Sequence, residues 1–348
     1  MQLEICRMND NNGHRIGLFV ANWCRYGIMI KIISLEVLMG IVVIGAVFVD
    51  IKGYPESNFI PSGRNAGRVE QVHGGVARNI VEDIANCELR PTFISLVDRS
   101  GTGADVVRKL QDHKVNTDYM RTTRDGMGTW LAIFDNDGDV HSSISKRPNL
   151  LPIADILDEQ GDEIISQADS IVMEICVDKE IVKRVFKLAK KYNKKVFAGV
   201  ANMGIALERR DFLQSVDCFI CNIQEAGMLF SDDYSEKRAD EMEIIISNKV
   251  VAARIPSMIV TMGADGAVYA DKFGNKGYCP ARRVEVKDTT GAGDSFCAGV
   301  AIGLTYGKTL AEACEIGAHL AASVIVTSEN VCPRFLPGEL GLDIEITA

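Results

Sequence analysis

The sequence predicts an α/β protein built around a mainly parallel β-sheet. Short apolar runs alternate along the chain with stretches of helical periodicity, which is the pattern of repeated strand–helix–strand units. The length of 348 residues fits one large domain or two small ones. Hydrophobic residues make up 47% and charged residues 24% of the chain, values that are typical of globular proteins and argue against a disordered, collagenous or disulfide-stapled chain.

The first 38 residues show no clean helical or strand period. The apolar run that follows, Val37–Val49, has only 13 residues, whereas a membrane-spanning helix needs about 20. A signal peptide would end in a small-residue cleavage site, and this run ends in Asp50–Gly53. We therefore expect residues 1–38 to be a poorly ordered extension or a product of the start-codon choice, and we expect no membrane partner.

Residues 39–348 are expected to form one domain, beginning with a buried strand over 40–49. The predicted strands are apolar runs bounded by polar or glycine-containing turns, at 40–49, 92–97, 170–175, 196–200, 218–221 and 258–262. The predicted helices repeat apolar residues every three or four positions, at 75–87, from 106 onward, 179–192, 292–306 and 310–326.

Two stretches interrupt the alternation of strands and helices. Residues 129–134 and 140–145 alternate like strands around an Asp-Asn-Asp-Gly sequence, which is typical of a β-hairpin. Residues 51–73 are rich in glycine, proline and polar residues. We expect a small β-sheet lid formed from about 51–73 and 126–147.

Charge and cysteine usage narrow the function classes. The chain has 47 acidic and 38 basic residues, a formal net charge of −9, so we expect no nucleic-acid partner. Ten cysteines are scattered singly except for Cys218 and Cys221, which fits reduced thiols in a cytoplasmic protein. That pair lies in an apolar strand with no second pair to supply zinc ligands, so we interpret it as core.

The most informative motif is the glycine-rich turn that opens the helix at 292–306. Gly291 and Gly293 permit close backbone approach, and the first N–H groups of a helix favour an anion. Asp294 places a carboxylate beside that anion site, where it could accept a proton from a hydroxyl that attacks a phosphate. The alternative is an ordinary capped helix with an acidic first turn. Dinucleotide-binding and Walker patterns fail here because Phe296 and Ile302 occupy positions that require glycine.

Residues 288–294 read Asp-Thr-Thr-Gly-Ala-Gly-Asp and, with Ser295 and Phe296, resemble the C-terminal signature of the ribokinase-like (PfkB) carbohydrate and nucleoside kinases. The resemblance can be followed over about residues 41–335. It implies a three-layer αβα core with a β lid, phosphoryl transfer from ATP with Mg²⁺, and Asp294 as the catalytic base. The resemblance also assigns the anion hole to Gly291, Ala292 and Gly293.

The resemblance assigns further residues to metals and nucleotide. Asp288 and Thr290 resemble positions that help to hold a monovalent cation, usually potassium. Asn222 and Glu225 match an Asn-x-x-Glu motif that acts on the magnesium–phosphate network through water, although they also read as an ordinary helix N-terminus. The resemblance places a further group near the nucleotide, namely Thr261, Gly263, Gly266 and His319. For His319 a helix-packing role is the alternative.

The substrate side is expected near the start of the domain. Gly74 and Gly75 resemble the diglycine motif of the family, and Asn79 offers a donor and an acceptor to hydroxyls. Asp50 matches the sugar-binding aspartate, and Glu174, at a strand end, resembles another acid near the substrate. A carboxylate that accepts hydrogen bonds from two vicinal hydroxyls suits a ribose.

The exact substrate stays open at this point. The sequence around the diglycine, followed by Val76–Ile80, is more similar to the pseudouridine kinase branch than to ribokinase, although Ala77 replaces a glycine often found there. We expect phosphorylation of the 5′-hydroxyl of pseudouridine or another nucleoside. The alternatives are a free-sugar kinase of ribose or fructose type, and a non-catalytic sugar- or nucleotide-binding regulator. Relatives with a β lid often dimerise through it, so a homodimer is a further expectation.

Overall fold

The computed structural model describes residues 40–136 and 140–344, and the backbone of residues 3–9, 15–21 and 35–38. In chain order the strands are β1 Leu3–Asn9, β2 Arg15–Ala21, β3 Leu35–Leu38, β4 Gly40–Ile44, β5 Val47–Pro55, β6 Gly67–Gly74, β7 Thr92–Val97, β8 Met120–Thr122, β9 Met127–Phe134, β10 Val140–Lys146, β11 Ala168–Glu174, β12 Val196–Gly199, β13 Cys218–Asn222, β14 Ser257–Thr261, β15 Ala267–Asp271 and β16 Lys276–Cys279. The α-helices are α1 Val76–Asn86, α2 Gly101–Asp112, α3 Pro152–Ser166, α4 Lys179–Tyr192, α5 Met203–Ala206, α6 Ile223–Phe230, α7 Ala239–Ala253, α8 Ala292–Thr305 and α9 Leu310–Ile325.

The centre of the molecule is a nine-stranded sheet in the order β16-β15-β14-β13-β12-β11-β4-β7-β8. The pairs from β14 through to β8 are parallel, and β15 and β16 add an antiparallel edge. This sheet confirms the predicted α/β class with a mainly parallel sheet.

Helices cover both faces of the central sheet, which gives three layers. Alternate residues of β4 belong to opposite hydrophobic clusters: Ile41 and Val43 pack towards α1, α2, α8 and α9, while Val42 and Ile44 pack towards α3, α4, α6 and α7. Because both faces are buried, the strand is apolar throughout instead of alternating with polar residues.

The predicted strand over 40–49 is two strands. It breaks at Gly45 and Ala46, so that β4 belongs to the central sheet and β5 to a second sheet. A side chain on Gly45 would lie 2.4 Å from Ala77 Cβ and 3.0 Å from Glu174 Oε2, so this crossing needs glycine. A continuous run of apolar residues gives no sign of the break, because both strands are buried where they meet.

The second sheet has four strands in the order β10-β9-β5-β6, and it forms the predicted lid. The strands β9 and β10 form the expected antiparallel hairpin, whose turn includes residues 137–139, outside the described residues. β5 pairs with β9 in parallel and with β6 in antiparallel fashion. One sheet face carries Asp50, Lys52 and Tyr54, and the opposite face carries Ile51 and Gly53.

The N-terminal segment contains β1, β2 and β3, which pair with one another as a separate antiparallel sheet. The other residues before 40 lie outside the described residues, so the expectation that residues 1–38 are a poorly ordered extension or a product of the start-codon choice stays a prediction. Within the described helices, none is both long enough and apolar enough to cross a membrane.

Candidate active site

The predicted phosphate-binding turn lies at the N-terminus of α8. Gly291 adopts φ 82°, and a side chain there would lie 2.1 Å from the carbonyl oxygen of Asn330, so the turn requires glycine. Ser295 N donates to Gly291 O at 2.9 Å, and Ala292 N donates to Thr289 O at 3.2 Å. The N–H of Ala292, which was assigned to the anion hole with those of Gly291 and Gly293, is therefore engaged with protein. Within the described part of the chain, the N–H groups of Gly293 and Asp294 are the first-turn donors of α8 left available to an anion.

The space in front of the turn is open. An added Cβ on Gly293 would meet no protein atom within 4 Å, and the residue is exposed. The residues present therefore fit a phosphate group, because the turn offers both unused donors and room for oxygen atoms.

Asp294, the predicted base, lies in the first turn of α8. Its Oδ2 accepts a hydrogen bond of 2.7 Å from Asn79 Nδ2, which comes from α1. Burial raises the pKa of Asp294 to about 7, and the charges of Asp50 and Glu225 raise it further, against the lowering effects of Asn79 and Arg78. A carboxylate in this state can take up and release a proton near neutral pH.

Asn79 was expected to contact substrate hydroxyls, and the structure places it against the predicted base instead. Its Oδ1 accepts from Arg78 Nη1 at 2.7 Å and from Asn330 Nδ2 at 3.2 Å. Its two amide atoms are thus both engaged with protein groups, and the side chain is only 5% exposed.

Asp50 lies on the lid strand β5, paired in register with Val72 of β6. A side chain on Gly74 would lie 2.4 Å from Asp50 Oδ2, and Gly75 adopts φ 101° directly before α1. The two glycines therefore make room for the carboxylate and for the turn into α1. Burial raises the pKa of Asp50.

Glu174 ends the central strand β11, and its Oε2 accepts from Ala46 N at 3.3 Å at the β4–β5 break. The carboxyl is 7% exposed, and burial, together with the charge of Asp294, raises its pKa to about 7. Glu174 and Asp294 therefore influence each other's protonation, so the structure brings this predicted residue to the same site.

Asn222 and Glu225 form a reciprocal capping box at the start of α6. Asn222 Oδ1 accepts from Glu225 N at 2.9 Å, and Glu225 Oε2 accepts from Asn222 N at 2.8 Å. This is the helix-terminus alternative that the sequence left open. Burial raises the pKa of Glu225, and its charge acts on Asp294, so the carboxyl also belongs to the site.

Of the four residues predicted to contact the nucleotide, Gly263 borders open space and the other three contact protein groups. Gly263, at φ 59°, has no atom within 4 Å of the place where a side chain would be. An added Cβ on Gly266 would lie 2.2 Å from the carbonyl oxygen of Cys279. Thr261 Oγ1 donates to Cys221 O at 3.5 Å. The ring of His319 lies 4.9 Å from that of Phe335, edge to face, which is a packing contact.

Asp288 and Thr290, predicted to hold a monovalent cation, form a local turn in which Thr290 N donates to Asp288 Oδ1 at 2.8 Å. Burial alone would raise the pKa of Asp288, but the bonds from Thr290 and the charge of Lys52 bring it below its usual value. The lid residue Lys52 therefore lies near this turn.

Sequence reasoning missed the residues that hold the predicted base and its helix in place. Ser295 Oγ and Cys332 N donate to the two oxygens of the buried Asp83, at 2.8 and 2.6 Å, and so join α8, α1 and the segment after α9. Burial raises the pKa of Asp83 to about 8. The sequence did carry a signal for this contact, because Asp83 is an acidic residue on the apolar face of the predicted helix at 75–87.

Cys218 and Cys221 are buried core residues, as expected, and burial raises the pKa of Cys218 to about 12. Within residues 40–136 and 140–344, no group of three or more His, Cys, Asp or Glu side chains is arranged to hold a metal ion.

The chain is similar to known kinases in sequence and fold. The chain is 32% identical over 292 residues to guanosine-inosine kinase from Exiguobacterium acetylicum, a match that covers 83% of this chain and 95% of that protein. It is 24% identical over 283 residues to pseudouridine kinase from Escherichia coli, covering 78% and 86% of the two chains. The structure of ribokinase from Arabidopsis thaliana shares the fold, with a TM-score of 0.75, 20% identity and coverage of 87% and 98%.

The model of the pfkB family carbohydrate kinases matches residues 39–335, which is most of the chain. This range contains the central sheet, the lid sheet and every residue of the candidate site. The predicted ribokinase-like fold and kinase activity are thereby confirmed: the chain is a kinase of the pfkB carbohydrate kinase family.

Proposed function

We propose that this protein transfers the γ-phosphoryl group of ATP to the primary (5′) hydroxyl of a nucleoside. The observation that carries the proposal is the placement of Asp294 within the first turn of α8, beside unused backbone N–H groups and hydrogen-bonded to Asn79 at 2.7 Å. This arrangement puts a proton acceptor next to a site for anionic oxygen, as an attack by a hydroxyl on a phosphate requires.

Asp294 takes the proton from the substrate hydroxyl as that oxygen attacks. Its pKa of about 7 keeps a large ionised fraction at neutral pH, yet makes the carboxylate basic enough to accept a proton. The N–H groups at Gly293 and Asp294 stabilise the negative charge that develops on the transferred group. ATP with Mg²⁺ supplies the activated phosphoryl group, and Glu225 would hold Mg²⁺ through water.

A nucleoside is favoured over a free sugar because the lid face that carries Asp50 is aromatic. Trp130 pairs in register with Asp50 on the neighbouring strand and therefore lies on the same face. Tyr54 and Phe134, also on this face, stack with ring centroids 4.7 Å apart. Asp50 would bind the ribose hydroxyls, with Glu174 nearby, and these rings would contact a base. The relatives that are named guanosine-inosine kinase and pseudouridine kinase both act on nucleosides by name.

The test is an ADP-release assay with guanosine, inosine, pseudouridine, uridine, adenosine, ribose and fructose. We expect turnover on at least one nucleoside to exceed that on both sugars. Asp294→Asn should lose at least about a hundredfold in kcat while still binding ATP. The control is Asp112→Asn, at an exposed position at the end of α2, which should match the wild type. Turnover of ribose or fructose alone would favour the free-sugar kinase, and ATP binding with no turnover on any substrate would favour the regulator.

Trp130→Ala tests the role of the aromatic lid face. Because base–aromatic stacking is worth about 1–3 kcal/mol, we expect KM for the nucleoside to rise roughly tenfold. The matched control is Phe273→Ala, in an exposed turn between β15 and β16, where the ring is 80% exposed. An unchanged KM in Trp130→Ala would remove the main support for a nucleoside.

The opposite face of the lid supports a homodimer. Val69 and Ile144 are 73% and 71% exposed, and Leu131, paired in register with Ile144, is 40% exposed. These apolar side chains share one face of the sheet, and a second copy of the chain could cover them. Light scattering should give a dimer for the wild type and a monomer for Ile144→Asp; a monomeric wild type would rule out the homodimer.

We also propose that the turn of Asp288 and Thr290 binds a monovalent cation. Replacing KCl by Tris chloride should therefore lower kcat, and an unchanged kcat would contradict the cation site.

We further propose that the enzyme works in the cytoplasm, where ATP is available. The described cysteines are all unpaired, which is compatible with a reducing compartment.

A further inference from the structure

Arg78 is an unusual residue for the interior of a protein. It is 1% exposed and is the largest of the fully buried side chains. Its guanidinium group donates to His73 O at 2.9 Å and to Asn79 Oδ1 at 2.7 Å, and it forms an ion pair with Glu82 one turn further along α1. Burying a charged pair costs free energy that an apolar pair of similar size would not cost. The presence of Arg78 and Glu82 inside the protein therefore suggests a role other than packing.

The contacts of Arg78 determine which way the Asn79 amide faces. Both Arg78 Nη1 and Asn330 Nδ2 are donors, and both point at the same atom of Asn79. That atom must therefore be the carbonyl oxygen, and the amide NH₂ is left to face Asp294 Oδ2. An ionised carboxylate can only accept hydrogen bonds, so a reversed amide would repel it.

The ion pair extends to the surface of the molecule. Glu82 Oε1 also lies 3.2 Å from Lys109 Nζ and 3.8 Å from His113 Nε2, both on or beside α2. A continuous series of polar contacts therefore runs from α2 through Glu82, Arg78 and Asn79 to Asp294.

Arg78 also brings the positive charge that opposes the many acidic groups around Asp294. The acidic neighbours come from several elements: Asp50 from β5, Glu174 from β11, Glu225 from α6, and Asp83 from α1. The Cys297 thiol of α8 also faces Asp294, and burial raises its pKa far above neutrality, so it carries no charge. Arg78 lowers the pKa of Asp294, while Lys52 and Arg147 act on the neighbouring carboxyls of Asp50 and Glu174.

We propose that Arg78, with Glu82 and Asn330, is a positioning residue for phosphoryl transfer: it fixes the Asn79 amide so that its NH₂ donates to Asp294, and its charge keeps that carboxylate ionised. This inference rests on the proposed role of Asp294 as the base. It assigns Asn79 to the base rather than to substrate hydroxyls.

The experiment reads the protonation of Asp294 directly, by NMR of protein labelled with ¹³C at the aspartate carboxyl carbon. The Asp294 signal is identified by its loss in Asp294→Asn. The variant Arg78→Met with Glu82→Gln removes both buried charges and leaves neither unpaired. We expect the pKa of Asp294 to rise by about 0.5 to 1 unit in this double variant. Glu82→Gln alone leaves Arg78 uncompensated, so the pKa should fall.

A matched control is Arg121→Met with Glu159→Gln, which removes an exposed ion pair between β8 and α3. It should leave the pKa of Asp294 and kcat unchanged. In the Arg78 double variant, kcat at pH 7 should fall at least about tenfold, while KM for ATP changes less than about threefold. Arg78→Lys keeps the positive charge but loses the planar guanidinium group. Compared with the double variant, it should bring the pKa of Asp294 closer to the wild-type value than it brings kcat.

A pKa of Asp294 that stays at the wild-type value in both the double variant and Glu82→Gln would overturn the inference, as would shifts of the same sign in the two variants. If the double variant does not fold, Glu82→Gln still decides the sign. The NMR titration does not depend on turnover, so a wild type without kinase activity would contradict the proposed function and leave this measurement intact.

Discussion

Asn79 Nδ2 donates to Asp294 Oδ2 at 2.7 Å, across 215 positions of the sequence. One residue belongs to the first helix of the domain, and the other to the helix after the glycine-rich turn. The bond therefore joins the substrate-side motif and the phosphate-side motif into one site, and the protonation of Asp294 depends on both.

The rate of phosphoryl transfer should fall as the pH is lowered through about 7. The folded-state pKa of Asp294 is raised to about 7, so the base is protonated and inactive below that pH and ionised above it. A profile of kcat/KM from pH 5.5 to 9 measures this. An acidic limb near pH 4, the ordinary range of an aspartate, would contradict the environment described for Asp294.

Asp294→Asn should stabilise the fold, and more so at higher pH. Since the pKa of Asp294 is raised above its unfolded value of 3.8, the folded state disfavours ionisation; this penalty is absent below about pH 4 and complete above about pH 7. Allowing for partial solvent exposure, we expect roughly 1–2 kcal/mol at pH 8 and less at pH 5.5. Urea unfolding at both pH values measures the difference, and equal effects at both would argue against a raised pKa.

Two glycine substitutions in the same turn should behave differently. Gly291→Ala forces a side chain against Asn330 O at φ 82°, so we expect a loss of about 2 kcal/mol or more in unfolding free energy. Gly293→Ala meets open space, so the melting temperature should stay within a few degrees while KM for ATP rises. Thermal melting and ATP titration distinguish the two. Equal destabilisation would mean that the space at Gly293 is closed in solution.

Glu225→Gln should separate the capping role from the metal role. A Gln side chain can still accept from Asn222 N through its carbonyl oxygen, so α6 should keep its capping box and the protein its stability. The lost charge should raise the Mg²⁺ concentration needed for half-maximal activity. An Mg²⁺ titration at fixed ATP checks this, and a curve that matches the wild type would leave Glu225 with a capping role alone.

Deleting residues 1–38 should leave folding and activity intact. The central sheet starts with Gly40–Ile44, and β1–β3 pair only with one another in the described sheets. The melting temperature and kcat of the shortened chain measure the effect. A drop of more than about 5 °C would show that the segment stabilises the domain.

The sequence predicted best those elements for which the spacing of apolar residues and the chemistry of nearby residues indicate the same structure. The helix over 179–192 was predicted at its observed bounds because Ile181, Val182, Val185 and Ala189 repeat with helical spacing and lysines occupy the other face. The turn at 288–294 was found because glycines and an aspartate next to a helix start have a shared chemical reason.

The helix Pro152–Ser166 was missed, although Pro152 in its first turn and its buried residues Ile153, Ile156 and Leu157 carried the signal. The break at Gly45 and the contact between Asn79 and Asp294 could not be predicted in this way. Both features depend on which distant segments of the chain come together in the fold. The burial of Arg78 could not be predicted either, because arginine is usually an exposed residue.

The division of the first apolar run into β4 and β5 has a consequence for how such an enzyme diversifies. Asp50, Trp130 and Tyr54 all lie on the lid sheet, while Asp294 and the α8 turn lie on the core. If the proposed roles hold, substrate selectivity and phosphoryl transfer depend on separate sheets, which are joined at Gly45 and Ala46 and at three further crossings of the chain. Replacing residues 47–74 and 127–146 with the corresponding lid segments of a related kinase should therefore change which substrate is preferred, while phosphoryl transfer by Asp294 and the α8 turn is retained.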